Sequence, residues 1–150
     1  EEANQLIAER GLRGHMVTSP RNGLAEAYLI AAEQAEGTER AAVLKKAKRA
    51  CQAALRQGKR FRGGLPQAMR LQGTYEWLRG KPAAAQKWWR QSLAVAEELG
   101  ARYDLGRTYL EMGKRLQDRS YLEQAEAIFT EIGANLDRAQ ARELLTWGTA

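Results

Sequence analysis

The chain has one histidine, His15, and one cysteine, Cys51, in 150 residues. A histidine metal cluster cannot form, no cysteine pair stands at metal-ligand spacing, and no internal disulfide is possible. There is no glycine-rich phosphate loop, no G-x-S-x-G and no H-E-x-x-H. The acids stand mostly beside bases on helix-like faces, as at Glu97 and Glu98 or Glu123 and Glu126, which is the pattern of solvated surfaces. His15 falls in a stretch rich in Gly, Pro, Ser and Asn and reads as a loop residue. Cys51 sits in an apolar stripe and reads as a small buried hydrophobe, because a reactive thiol needs exposure and a depressed pKa. The expectation is a chain with no catalytic, metal or cofactor site, and hence not an enzyme.

The residues left for chemistry are charged. The net charge is +6, and residues 41–96 hold thirteen Lys or Arg against one acid, Glu76. Both flanking segments are mildly acidic. Lys45, Lys48, Arg49 and Arg56 fall opposite the apolar stripe of their helix, and Lys59, Arg60 and Arg62 follow in an expected loop broken only by Phe61. Three readings fit this cluster: a solvated face, a docking patch for an acidic segment of a partner, or phosphate contacts to nucleic acid whose strength falls with salt. No recognised nucleic-acid motif accompanies it, and a single aromatic lies within it.

Few prolines and an abundance of Ala, Leu, Gln, Glu, Arg and Lys predict an all-α chain. No apolar run approaches the roughly 20 residues of a membrane span, and no signal-peptide pattern opens the chain. The lone cysteine fits a reducing cytoplasm. The chain opens at Glu1 on residues that read as mid-helix, the expectation for a piece of a longer protein.

Periodicity predicts how the helices are laid out. Residues 1–11 read as the second helix of a truncated pair and 11–23 as a loop. A helix over 24–36 carries Tyr28, Leu29, Ala32 and Ala35 on one face, with Gly37 ending it and Thr38 capping the next, 39–57. Further pairs are expected at 66–79 with 82–99 and at 101–116 with 121–132. A last helix, 135–147, has Leu136, Ala139, Leu144 and Trp147 to cover the open end. Gly80 and Gly113 are read as helix terminators and Pro82 as a first helical residue. Ala85, Trp89 and Ser92 fall at i, i+4 and i+7, as do Ala47, Cys51 and Ala54. Gly73, inside a helix, costs about 1 kcal/mol against Ala and predicts a close approach of two helices. Gly106 to Ala125 spans seven residues more than Gly73 to Ala85, an insertion within the third pair.

Gly73, Gly80, Ala85 and Trp89 resemble positions of the tetratricopeptide (TPR) pattern, a 34-residue helix–turn–helix repeat. Leu105, Gly106 and Tyr109 repeat its L-G-x2-Y run in full, Ala125 and Phe129 its A-x3-F, and Gly73 and Gly106 stand 33 residues apart. Gln72 and Glu76 replace the usual Leu and Tyr. The resemblance implies stacked antiparallel helix pairs in a right-handed superhelical solenoid: repeats at 24–57, 66–99 and 101–132, a partial leading helix, and a capping helix at 135–147. It also implies a concave wall built by the first helices, which receives a peptide or a neighbouring domain. Aligning the two glycines places Arg70, Thr74 and Trp77, then Tyr103, Arg107 and Leu110, on that wall, with Trp77 reading equally as a core residue and Arg70 and Arg107 equally as partners of Glu residues on neighbouring helices. Arginine and aromatic residues there suit an acidic or C-terminal carboxylate ligand. The run from 99 to 144 is similar to C-terminal arrays of large bacterial signalling proteins that carry NTPase, cyclase or kinase modules. The function expected is therefore a protein–protein interaction or regulatory scaffold array. The alternatives are nucleic-acid or acidic-partner binding through residues 45–62, or a passive spacer between domains.

Overall fold

A computed structural model describes residues 19–147. Seven helices lie within them: α1 (Pro20–Gln34), α2 (Gly37–Arg60), α3 (Leu65–Leu78), α4 (Pro82–Leu99), α5 (Arg102–Leu116), α6 (Arg119–Ile132) and α7 (Asn135–Trp147). A single 3-10 turn, Arg62–Gly64, joins α2 to α3, and the described residues contain no strand. The chain is all-α. No described helix is long and apolar enough to cross a membrane. The segment 1–11 and His15 lie outside the described residues.

Local chemistry sets the helix ends, in several places away from the sequence expectation. α1 starts four residues early because Ser19 Oγ accepts from the Asn22 amide at 3.2 Å and Pro20 fits the first turn. Thr38 is not a cap: α2 opens at Gly37, with Glu36 preceding it and making no side-chain bond. Lys59 and Arg60 belong to the last turn of α2 rather than to a loop. α4 and α6 stop at Gly100 and Gly133, whose φ of 65° and 73° lie in the left-handed region. The carbonyls of Ala96 and Phe129 then accept from Ala101 and Ala134, both at 2.9 Å.

Consecutive helices pack in antiparallel pairs, which the order of contacts shows. Trp89 of α4 reaches Trp77 with its ring and Arg70 with its indole N–H, while Ser92 reaches back to Pro66. The close approach expected at Gly73 is filled by a ring: a Cβ there would overlap the five-membered ring of Trp89. At Gly106 a Cβ would stand 2.7 Å from Phe129 Cε1. Burying a large apolar side chain contributes roughly 1.5–3 kcal/mol, which outweighs the ~1 kcal/mol cost of a helical glycine. Trp89 and Phe129 are both fully buried.

Gly113 does not end a helix. It lies inside α5, two turns beyond Gly106, and takes a second large side chain, Leu122, at 2.7 Å from its would-be Cβ. The helix runs on to Leu116, and Gln117 adopts the left-handed turn. The seven-residue insertion is thus distributed along the pair. α5 runs five residues further past its glycine than α3 does, α6 places its ring three residues later than α4 does, and the connecting turn is one residue shorter.

Pairs join chiefly where the second helix of one packs on the first of the next, α2 on α3, α4 on α5 and α6 on α7, and the first helices touch in turn, α1 with α3, α3 with α5 and α5 with α7. Ser92 Oγ ties the second pair to the third through Thr108 Oγ1 at 2.9 Å, with both hydroxyls fully buried. α7 buries Ala141 and Leu145 against α6 and α5. Leu136 is 89% and Trp147 72% exposed, and Ala139 is exposed. All three are largely solvent-exposed, so of the four side chains expected to cover the open end only Leu144 packs against the core of this end.

Candidate functional site

The row of first helices leaves a cavity of about 170 Å³ between α1, α3 and α5, with Gln140 of α7 at its edge. Its volume suits one inserted side chain and falls below the roughly 300–1,000 Å³ of small-molecule sites. Leu29, Leu71 and Leu110 form its apolar floor. Four cations, Arg70, Arg107, Lys114 and Arg115, and three acids, Glu26, Glu33 and Glu111, line it.

The acids are held by two of the cations. Arg115 grips Glu33 through both terminal guanidinium nitrogens, one bond at 3.0 Å, and its Nε donates to Glu111 at 2.7 Å. Burial works against the charge of Arg115, but Glu33 and Glu111 outweigh it and hold the guanidinium above the usual arginine range. The same bond holds the Glu33 carboxyl below the usual carboxylate range, against the opposing effect of its partial burial. Arg107 donates to Asp137 of α7 at 3.1 Å and lies 3.8 Å from Glu26 of α1. Bridges from α5 to α1 therefore span the groove at two levels. Thr74 Oγ1 adds a bond to Glu111 at 3.1 Å.

Arg70 differs from both. Its side chain is 6% exposed, yet its guanidinium makes no hydrogen bond or ion pair among the described residues. Burial, and then the positive charge of Arg107, push its guanidinium below the usual arginine range, while Glu26, Glu111 and Asp104 act from a distance in the other direction. The described side-chain atoms sealed from solvent without a partner are Asn22 Oδ1, Gln57 Oε1 and Gln72 Oε1, none of them from Arg70, so its head opens into the cavity, where an acceptor can meet it. Comparison with protein-family models, curated proteins and solved structures returns no match to this chain. What the cavity does must therefore be read from its geometry.

Of the six expected wall positions, Arg70, Thr74, Arg107 and Leu110 line this cavity. Trp77 does not: its ring packs 5.9 Å from that of Trp89 in the interior of the second pair. Tyr103 turns onto Phe129, with ring centroids 6.1 Å apart, and its hydroxyl donates to Asp137 at 3.4 Å. Burial and Asp137 raise its pKa. Glu33, Glu111 and Arg115 were not singled out from the sequence. The Glu111–Arg115 spacing of i, i+4 was a readable signal, whereas Glu33 lies 82 residues from Arg115 and gave none.

The basic residues form a separate surface. Lys45, Lys48, Arg49, Arg56, Lys59 and Arg60 are all exposed along α2, while Arg62 is tied to Glu98 by bonds of 3.0 and 3.1 Å. Cys51 lies fully buried on the opposite side of the helix, and burial, reinforced by Glu76, pushes its thiol up to about 12. It carries no thiolate near neutral pH. A larger cavity, about 510 Å³, lies between the α5–α6 turn and the end of α7. Its arginine, Arg119, is engaged by Glu123 and by the Leu145 carbonyl, so no buried group there awaits a partner.

Proposed function

We propose that the chain is a tetratricopeptide-like array, a non-catalytic interaction or regulatory scaffold within a larger multidomain cytoplasmic signalling protein of bacterial type. It receives an acidic peptide or a neighbouring domain in the groove formed by its first helices. The observation that carries this reading is Arg70: a guanidinium that opens into the cavity with no bonded anion, where the space suits one side chain. A partner's carboxylate supplies the missing acceptor in bidentate fashion, a match that lysine would not reproduce. The repeated fit of a ring against a helical glycine, 33 residues apart, supports the stacked superhelical arrangement.

Displayed-peptide selection on the intact chain tests this. The expected outcome is a set of acidic peptides that lose at least tenfold in affinity for Arg70→Gln and for Arg70→Lys. Selected peptides that bind both variants as tightly as the parent would remove Arg70, and with it the groove, from the site.

A further inference from the structure

The outer face of α2 is a second surface with its own chemistry, separate from the groove. At 3.6 residues per turn, Lys45, Lys48, Arg49, Arg56, Lys59 and Arg60 fall within about 60° on either side of one line along the helix. That line lies opposite the buried stripe of Ala47, Cys51, Ala54 and Gly58. From Lys45 to Arg60 the strip runs roughly 22 Å, and its one uncharged position is Gln52. Arginines elsewhere, Arg102, Arg107, Arg115 and Arg119 among them, hold carboxylates. None of the six strip cations does so among the described residues. Lys59 and Arg60 stand in the last turn, where cations favour the helix dipole, and the other four gain nothing from a carboxylate partner.

We propose that this face binds the phosphate backbone of single-stranded nucleic acid, with Phe61 stacking a base at its end. The density of charge fits a polyanion: the six cations stand about one per 4 Å of helix. The lack of apolar residues within the strip argues against a protein interface there. Protein interfaces bury an apolar core depleted in lysine, and no apolar anchor interrupts this strip. Phosphate contacts need no such core, since they are polar and wet. Phe61 adds the second element of single-strand sites, an aromatic platform beside cations. It is 65% exposed, directly follows the strip, and lies 5.8 Å from the Arg60 guanidinium.

Fluorescence anisotropy of the intact chain with a labelled oligothymidylate of about a dozen nucleotides tests the proposal. Duplex of equal length, polyglutamate and phosphatidylserine vesicles serve as the other arms. Binding to the oligothymidylate at about 50 mM salt should weaken towards 200 mM with a log–log slope of about −4, as six phosphate contacts to a single strand require. Lys48→Glu with Arg56→Glu should lower that affinity at least tenfold with unchanged helical circular dichroism. Phe61→Ala should weaken oligothymidylate binding roughly five- to a hundredfold, leaving the salt slope and any duplex affinity unchanged. The proposal is overturned by no oligothymidylate binding at 50 mM salt, by charge reversal without effect, or by binding confined to polyglutamate or to vesicles. Unchanged affinity in Phe61→Ala overturns the stacking role.

Discussion

The groove and the outer face of α2 are built from the same basic side chains and use them oppositely. In the groove, Arg107 and Arg115 are partly buried and engage acids contributed by α1, α5 and α7, so that each ion pair also fixes a helix position. On α2 the cations are exposed, share one line and hold no acid. The first arrangement spends charge on internal register, and the second leaves it free for solvent or a partner. Arg70 belongs to neither group, being as buried as the core around it and as unpaired as the α2 strip. The difference teaches that burial and pairing, and not residue type, separate the charges that hold this molecule together from those that face outward.

Breaking the frame that shapes the groove should have the largest effect. Trp89→Ala empties the space against Gly73 and removes the indole bond to the Arg70 carbonyl, and it should cost about 3–5 kcal/mol in urea unfolding. Arg115→Ala comes next. It leaves Glu33 and Glu111 without their cation and should cost about 1–3 kcal/mol by the same measurement. Acidification gives a smaller effect in the same region. The Glu33 carboxyl titrates below its usual 4.5, so its bridge stabilises the fold above that value and is lost as pH falls further. Because Glu33 is more than a third exposed, screening limits the loss to roughly 1 kcal/mol or less, measured as the difference between parent and Glu33→Gln across the acid range. The smallest effect is expected on the outer face. Lys48→Ala and Arg56→Ala should each change stability by no more than about 0.5 kcal/mol, and in the stabilising direction at low salt.

The pairing of helices was legible in the sequence, because a glycine that is costly in a helix becomes informative when it recurs 33 residues on before a matching ring. The same spacing placed Arg70, Thr74, Arg107 and Leu110 on one wall. Trp77, which read equally as core, packs on Trp89, and Tyr103 turns onto Phe129, because a helical stripe shared by two packed neighbours has two sides. Gly113 was misread as a terminator because a glycine two turns from another marks either an end or a second close approach, and only the position of Leu122 decides between them. The outward turn of Leu136 and Trp147 was equally hidden. The apolar pattern of α7 has two faces, and packing chose the one carrying Ala141 and Leu145. The bond from Glu33 to Arg115 depends on where α1 lies against α5, which no local pattern records.

The unfolding free energy of Arg70→Met, measured against the parent chain, tests most directly whether the buried guanidinium is kept for a partner. Methionine keeps the apolar stem and removes an unbonded buried charge, so the variant should be more stable by about 1–2 kcal/mol. A variant less stable than the parent by a similar amount would show that Arg70 holds the fold together, and would contradict its assignment as the groove's binding group.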